Sequence, residues 1–541
     1  MWLAAVVLTT ILGGGAADPW WSNAVYYSIL VDSFKDSNGD GLGDLQGVTK
    51  QLSYVRALGA DAVILSPISA KSMNCDKPGT TDFADIDERY GNLDVFKGLT
   101  EKAKKLELKL VITLTIETIS SSSELFNFSA ERKSGFDDKV VWRDGNPDET
   151  PPEEVGINDW IWHDGRKAYY GSSHNEAVLN LCSESLAAML SNSQCTWLKR
   201  GIAGILLNPD FPSNHECGVQ LVKKMVVSAT SCSRANNMEP PVILVESSLG
   251  AETSAKYYGE GGLGANSVIS YDFASPAKRP AASLALALHA TLLFPPQDMT
   301  PTWLTSKRNE SRIATRYGSE MVDAIILTTL ALPGATIIQQ GDELGAADTI
   351  LEWASTSKCW PIQAVASAAP FPWDDTPTAS FTSGDPWLPL APNYRYANAK
   401  TEYANDLSHI GVMKVASAIR KSPAVGPYLE MHRLGEALAI LRWGGSGSLL
   451  VVSNFGREKT EAVFSRIPGL PTEMTVAASS GGSSLTLGSH VNLEKNLKLV
   501  PGESFLLVGP PRHCSGPGPV DKITNKLSEG WQKINKYFGN L

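Results

Sequence analysis

The stretch Phe96–Thr115, FKGLTEKAKKLELKLVITLT, joins two structural patterns. Its first half, Phe96–Leu106, predicts a helix, and its second half, Lys109–Thr115, predicts a buried strand. The same alternation recurs from about residue 24 to 425, and strands separated by helices indicate a parallel sheet. Further strands are predicted at Val25–Leu30, Ala60–Leu65, Gly204–Leu207, Val242–Val245, Val268–Tyr271 and Thr336–Gln339, with helices at Leu186–Lys199 and Glu320–Leu332. This many repeats over this length predict a (β/α)8 barrel.

Two regions interrupt the alternation. Residues 119–179 are polar and punctuated by Pro and Gly, which predicts a loop-rich insertion after the third strand. From residue 426 onward short alternating strands predict an antiparallel β-sandwich domain. These strands are Ala437–Trp443, Leu449–Asn454, Glu473–Ala477 and Ser504–Val508. The predicted units are 1–17 (leader or anchor), 18–118 and 180–425 (barrel), 119–179 (insertion), 426–512 (β-domain) and 513–541 (linker and amphipathic helix).

Charge and the first residues bear on partners and compartment. The net charge of −10 argues against a nucleic-acid-binding protein, which needs a basic face for phosphates. The uncharged run from Trp2 to Ala17 predicts a cleaved signal peptide or a membrane anchor, and both alternatives direct the chain into the secretory pathway. The protein is then secreted, or held at the plasma membrane with its barrel outside. Sequons at Asn127 and Asn309 predict N-glycosylation there.

Seven cysteines fit an oxidising compartment. The spacing suggests short-loop disulfides within the pairs Cys182/Cys195 and Cys217/Cys232, although connectivity does not follow from sequence, and several of the cysteines are alternatively buried small hydrophobes. The tail carries apolar residues at helical spacing between lysines over residues 522–538. This basic amphipathic helix is expected to lie on a membrane surface or a partner, or to pack on the chain's own barrel.

Several segments resemble the α-amylase family, glycoside hydrolase family 13, and within it the α-glucosidase and transporter heavy-chain branch. The segment Asp36–Leu45, DSNGDGLGDL, matches the branch's first loop after a barrel strand. Leu332–Thr336 and Gly341–Gly345 resemble its eighth strand and following loop, and Leu450–Gly456 resembles its C-terminal domain.

The resemblance assigns the family's catalytic positions to residues of this chain. Asn208 stands where the family has its nucleophilic aspartate, and Leu206 replaces an arginine. Glu246 stands at the acid/base position, and Asn309 at the third acid. A retaining glycosidase needs two carboxylates, so Glu246 is expected to be a relic. The alternative is a slipped register in which Asp210 is the nucleophile.

The remaining sugar-binding positions depart from the family pattern as well. The family's polar positions at the end of the third strand are occupied here by Leu114, Thr118 and Ile119. The position of the sugar-binding aspartate is occupied by Gly79. A glycan on Asn309 is expected to close the barrel mouth.

The first loop keeps the family's residues. The resemblance implies a structural calcium ion held by Asp36, Asn38, Asp40, the Leu42 carbonyl and Asp44, since hard cations prefer several oxygen ligands. The alternative is a hydrogen-bonded turn built from Asp and Asn side chains.

This sequence resembles the heavy chains of heteromeric amino-acid transporters (the rBAT type) in two features. One is the segment Pro19–Trp21, and the other is a pocket without the catalytic carboxylates. The sequence therefore predicts a non-enzymatic heavy-chain-type ectodomain that supports amino-acid transport by a polytopic light chain. The alternatives are a secreted carbohydrate-binding pseudo-enzyme and an active α-glucosidase.

Overall fold

A computed structural model gives the fold. It describes residues 7–8, 19–74, 76–149, 151–154, 156–209, 215–259, 263–273, 281–296, 299–354 and 365–512. The predicted helix over 522–538, most of the segment 1–17, Asp210 and the cysteines at 75, 359 and 514 lie outside the described residues. Among the described residues, no helix combines the length and the apolar character that a membrane crossing requires.

Eight parallel strands close into a barrel, which confirms the predicted fold class. In barrel order from the first strand they are Val25–Ile29, Ala62–Leu65, Lys109–Thr115, Gly204–Asn208, Val242–Glu246, Ser267–Ser270, Thr302–Leu304 and Ala335–Gln339. The seventh strand, Thr302–Leu304, was not predicted because its three residues follow a proline-rich stretch.

The helices lie between and after the barrel strands along the chain. They are Val31–Phe34, Leu45–Ala57, Leu93–Lys105, Glu124–Ala130, Glu184–Lys199, His215–Ala235, Ala251–Ser254, Ala281–Leu293, Ile313–Tyr317, Val322–Ala331, Ala399–Tyr403 and His409–Arg420. Several begin at a side-chain cap, as where Ser183 accepts a hydrogen bond from the backbone N–H of Leu186.

The insertion after the third strand has more regular structure than the sequence predicted. Where 119–179 was expected to be loop-rich, five short strands form an antiparallel sheet beside Glu124–Ala130. The strands are Thr118–Ile119, Trp142–Asp144, Asp159–His163, Ala168–Ser173 and Glu176–Val178. They are short and contain polar, aromatic and small residues, so they lack the continuous apolar runs of the barrel strands. A separate hairpin joins Ser69–Lys71 to Thr80–Ile86.

The C-terminal unit is an antiparallel β-domain, as predicted. In spatial order its seven-stranded sheet contains Val7–Leu8, Tyr428–Leu434, Ala437–Trp443, Ser448–Asn454, Ser504–Gly509, Glu473–Ser479 and His490–Asn492. Two strands, Thr460–Ala462 and Leu497–Leu499, form a second small sheet. Residues Ala462 and Leu499 of this small sheet share an apolar cluster with the large one.

Disulfides join neighbouring helices rather than closing short loops. The observed pairs are Cys182–Cys217 and Cys195–Cys232, with Cα–Cα distances of 4.9 and 5.9 Å. The predicted pairs Cys182/Cys195 and Cys217/Cys232 are wrong, because each places its two cysteines near opposite ends of one helix, about 20 Å apart at 1.5 Å per residue. Disulfides of this kind persist in oxidising compartments, in agreement with the predicted secretory pathway.

Candidate active site

The carboxyl ends of the fourth and fifth barrel strands bring together two of the predicted site residues. The strands pair in parallel up to Leu207 and Val245, so Asn208 and Glu246 come next at the same level. Leu206 and Leu244, two residues earlier, lie in the apolar cluster that fills the barrel. Because side chains alternate along a strand, Asn208 and Glu246 project on this inner side, at the barrel mouth. Both are half-buried.

Glu246 is held by contacts from the next two strands. The hydroxyl of Tyr271 donates a hydrogen bond to Glu246 Oε1 at 2.7 Å. The Lys307 ammonium lies 4.8 Å from the centroid of the Tyr271 ring. The carboxylate, the phenol and the cation therefore form a continuous chain across strands five, six and seven. The prediction from sequence missed the role of Tyr271, since it depends on the register between two strands.

A cavity of about 330 Å³ lies beside this group. Tyr271, Lys307, Asp272 and Glu310 contribute polar atoms to its wall. The Asp272 carboxylate accepts hydrogen bonds from the hydroxyls of Ser270 at 2.8 Å and of Thr291 at 2.6 Å. The volume of this cavity is near the lower limit of the range for small-molecule pockets, about 300–1,000 Å³.

The predicted third-acid position lies apart from this cavity. Asn309 is exposed in a turn after the seventh strand. Its chain neighbour Glu310 lines the cavity and approaches the guanidinium of Arg316 to 4.0 Å. The sequon asparagine Asn127 is likewise exposed, on helix Glu124–Ala130. Glycans at Asn127 and Asn309 stay predictions.

The structure places an unpredicted carboxylate beside the sugar-binding positions. Thr118 donates a hydrogen bond to Glu176 Oε2. The same side chain lies over Gly79, where an added Cβ would come within 2.7 Å of the Glu176 carboxyl carbon. Burial raises the pKa of Glu176. Leu114 and Ile119, by contrast, are buried in the main apolar core.

The first loop is held by its own hydrogen bonds. The Asp36 carboxylate accepts from the backbone N–H groups of Asn38, Gly39 and Gly41 and from the hydroxyl of Thr382. Burial raises the pKa of Asp36, but these bonds outweigh it and lower the pKa overall.

The other loop side chains are engaged too. Asp40 and Asn38 bond each other at 3.0 Å, and Asp44 accepts from the backbone N–H groups of Ser37 and Gly47. These side chains are therefore engaged within the loop itself. Among the described residues, no group of three or more His, Cys, Asp or Glu side chains is arranged to hold a metal ion. Calcium at Asp36, Asn38, Asp40, Leu42 and Asp44 stays a prediction.

These features define a (β/α)8-barrel protein with a polar site at the carboxyl-terminal mouth. A family model described as the α-amylase catalytic domain matches residues 28–426, and the chain belongs to this family.

Relatives across most of the chain are named as glycosidases. Maltase 1 of Drosophila virilis is 27% identical over 84% of this chain and 82% of its own length. Salivary alpha-glucosidase of Anopheles gambiae is 26% identical, over 90% of this chain and 93% of its own length.

Solved structures support the fold. An alpha-glucosyl transfer enzyme superposes with a TM-score of 0.77 at 23% identity, over 91% of this chain and 100% of its own. Trehalose-6-phosphate hydrolase of Bacillus licheniformis also gives 0.77, at 21% identity and the same coverage.

Three predictions from sequence are corrected by these relatives. The heavy-chain function, the absence of enzyme activity and the transporter light chain as partner are contradicted, because the relatives are maltases and α-glucosidases. All three predictions depended on single residues, such as Asn208 and Asn309, that differ from the family pattern. A barrel mouth, however, gathers side chains from many loops, as where Glu176 reaches Gly79 and Thr118.

Proposed function

We propose that the chain is an α-glucosidase-type enzyme that hydrolyses or transfers the glucosyl unit of an α-glucoside at the barrel mouth. The observation that carries the proposal is Glu246 at the carboxyl end of the fifth strand, half-buried and bonded by Tyr271, in a chain of the α-amylase family. The names of the relatives support the same substrate class. The disulfides support an enzyme that acts outside the cell.

Glu246 is the proposed proton donor. In glycoside hydrolysis a carboxylic acid protonates the leaving oxygen while a second carboxylate attacks the anomeric carbon or activates water on the opposite face. Tyr271 fixes the orientation of the Glu246 carboxyl through Oε1. The other oxygen is then the one to deliver the proton to the substrate.

The second carboxylate is proposed to be Asp210. Asn208 carries an amide and has no anionic oxygen for attack. Asp210 follows Asn208 by two residues in the sequence and lies outside the described residues. In this assignment the family's nucleophile position is aligned with Asp210 instead of Asn208.

Two matched substitutions separate the registers. Maltose hydrolysis and glucosyl transfer are measured for the wild type and for the Glu246→Gln, Asp210→Asn and Asn208→Asp variants. We expect Glu246→Gln and Asp210→Asn each to lower kcat by about a thousandfold or more, and Asn208→Asp to have little effect. Exposed Glu101→Gln on helix Leu93–Lys105 is the control for a surface amide.

Each outcome decides something. A large gain of activity in Asn208→Asp would mean that residue 208 holds the nucleophile position and that Asp210 does not. Absence of wild-type turnover on maltose, sucrose and isomaltose at high enzyme concentration would overturn the proposed function. Turnover that survives Glu246→Gln would remove Glu246 from the mechanism.

A further inference from the structure

Three charged side chains lie in the segments that follow the first three barrel strands. Asp32 lies just after the first strand, and Lys71 lies in the hairpin after the second. Glu176 lies in the insertion after the third strand, on a short strand that pairs with Thr118–Ile119. Because the barrel strands are parallel, these segments all begin at the carboxyl-terminal mouth of the barrel. We call Asp32, Lys71 and Glu176 the charged cluster, and each of its members is half-buried.

The hairpin backbone leaves room for the carboxyl group of Glu176. Gly79 has a φ of +103°, a left-handed conformation that favours glycine. A Cβ added at Gly79 would come within 2.8 Å of Glu176 Oε2. Thr118 donates a hydrogen bond to the same oxygen. Oε2 is thereby fixed, whereas Oε1 accepts no hydrogen bond from the described part of the chain.

Lys71 brings a positive charge to the same place. It lies opposite Thr80 in the hairpin register, and Thr80 follows Gly79 directly. Burial raises the pKa of Glu176 and of Asp32, and the positive charge of Lys71 acts against this effect on both carboxyl groups. Within the described residues the Lys71 ammonium makes neither a hydrogen bond nor a salt bridge, so its donors are available to a ligand.

Asp32 completes the cluster from the first strand. The hydroxyl of Tyr90 donates to Asp32 Oδ1 at 2.7 Å, and no described residue donates to Oδ2. The charged cluster therefore offers two carboxylate oxygens as acceptors and one ammonium as donor. A sugar hydroxyl both donates and accepts hydrogen bonds, so neighbouring hydroxyls of a sugar ring match this set of groups.

The charged cluster lies across the mouth from the proposed proton donor. In the closed barrel, strands one to three lie opposite strands five to seven, where Glu246, Tyr271 and Lys307 are found. A glucosyl unit whose glycosidic oxygen meets Glu246 therefore turns its hydroxyl groups toward the opposite side of the mouth.

We propose that Asp32, Lys71 and Glu176 bind hydroxyl groups of the glucosyl unit and determine the sugar specificity of the enzyme. The inference rests on the proposed function, because it names the part of that site that holds the sugar. Glu176 accepts a hydrogen bond from one hydroxyl through Oε1, and Lys71 donates to a neighbouring one. A site that pairs its charged groups with substrate hydroxyls rejects an analogue without them, since those groups are then left unpaired.

Kinetics with p-nitrophenyl α-glucoside and its monodeoxy forms, each of which lacks one ring hydroxyl, test the proposal. We expect Glu176→Ala to lower kcat/KM for the complete substrate by about 10–100-fold, the contribution of a hydrogen bond to a charged group. For the monodeoxy form that lacks the partner of Glu176, wild type and variant should have nearly equal kcat/KM. A purely structural role would instead lower kcat/KM by the same factor for every substrate.

Matched variants sharpen the result. Glu176→Gln keeps an acceptor oxygen and should lose less than Glu176→Ala. Lys71→Met removes the charge and keeps the length of the side chain, and its loss should disappear with a different monodeoxy form. Asp159→Ala, at an exposed position on the neighbouring strand Asp159–His163 of the insertion, is the control and should follow the wild type.

Two kinetic results would overturn the inference while leaving the proposed function in place. One is an unchanged kcat/KM in Glu176→Ala, and the other is an equal loss on the complete substrate and on all monodeoxy forms. If the wild type turns over none of these substrates, the proposed function fails by itself, and binding then decides the inference. Saturation-transfer NMR with methyl α-glucoside should give a signal that Glu176→Ala loses and Asp159→Ala keeps. No signal, or one that Glu176→Ala leaves unchanged, would exclude the sugar-binding role.

Discussion

At the scale of single residues, Glu343 is a carboxyl group without contact to solvent. It follows the eighth barrel strand and is 0% exposed. The hydroxyls of Tyr27 and Tyr54 donate to its Oε1 at 2.6 and 2.9 Å, and the backbone N–H of Gly341 donates to Oε2 at 2.8 Å. Burial raises the pKa of Glu343 from 4.5 to about 7, although these bonds act in the opposite direction.

This raised pKa predicts a stability that falls as pH rises. The folded chain keeps the Glu343 proton up to about pH 7, whereas the unfolded chain loses it near pH 4.5. Between these values the folded state binds more protons, so the free energy of unfolding decreases with pH. The free energy of unfolding of the wild type should decrease between pH 4.5 and 8. In Glu343→Gln this decrease should be smaller by on the order of 3 kcal/mol, at about 1.4 kcal/mol per pKa unit.

Urea denaturation at several pH values measures the effect. Exposed Glu101→Gln is the control and should follow the wild type. If Glu343→Gln loses as much stability with pH as the wild type does, Glu343 is ionised in the folded protein at neutral pH and the argument fails.

The sequence predicted where single residues of the site lie along the chain, but not which side chains contact one another. Glu246 and Asn208 could be placed at strand ends because buried strands are apolar runs with clear limits. The bond from Tyr271 to Glu246 and the approach of Glu176 to Gly79 could not, since each joins residues from elements whose relative register the sequence does not encode locally.

At the scale of elements, the disulfides connect parallel neighbours on the barrel surface. Helices Glu184–Lys199 and His215–Ala235 are joined near one end by Cys182–Cys217 and near the other by Cys195–Cys232. Sequence spacing favoured the wrong pairs, because nearness along a helix is not nearness in space. Seven of the eight barrel strands were predicted, because burial on both faces makes them continuous apolar runs. The short strand Thr302–Leu304 and the strands of the insertion were missed.

The disulfide Cys195–Cys232 is expected to stabilise the fold by restricting the unfolded chain. It closes a loop with a sequence separation of 37 residues. We expect the double variant Cys195→Ala, Cys232→Ala to lose about 2–4 kcal/mol of unfolding free energy. Denaturation of the variant and of the wild type, both without reductant, measures this loss.

Peptide mapping without reduction checks the pairing itself. Linked peptides should contain residues 182 with 217 and 195 with 232. A peptide pair linking 182 to 195 would contradict the structure, and so would a double variant as stable as the wild type.

At the scale of the whole molecule, the barrel and the C-terminal sheet share one core. All ten residues of helix Val322–Ala331 are buried, and this helix packs on strands Ser448–Asn454 and Ser504–Gly509. Along strand Ala437–Trp443 the side chains alternate. Leu438 and Ile440 lie in the main cluster with the barrel residues, whereas Ala439 and Leu441 lie in the separate cluster of the β-domain.

Hydrogen bonds reinforce the same junction. The hydroxyls of Thr328 and Ser453 lie 3.0 Å apart across it. The guanidinium of Arg442, on strand Ala437–Trp443, donates to the carbonyl oxygen of Ala331 at 3.2 Å. Neither unit keeps its buried surface if the other unfolds.

The shared core predicts one cooperative unfolding transition. Ile440→Ala faces the barrel and Leu441→Ala faces the interior of the β-domain, and each should lose about 2–5 kcal/mol because it leaves a cavity. If the two units unfold together, both substitutions shift a single transition by similar amounts, since either one destabilises the only folded state. Calorimetry together with hydrogen exchange of a barrel peptide (109–115) and a domain peptide (448–454) measures this. Two resolved transitions, with Leu441→Ala shifting the domain peptide and leaving the barrel peptide in place, would mean that the shared cluster does not couple the units.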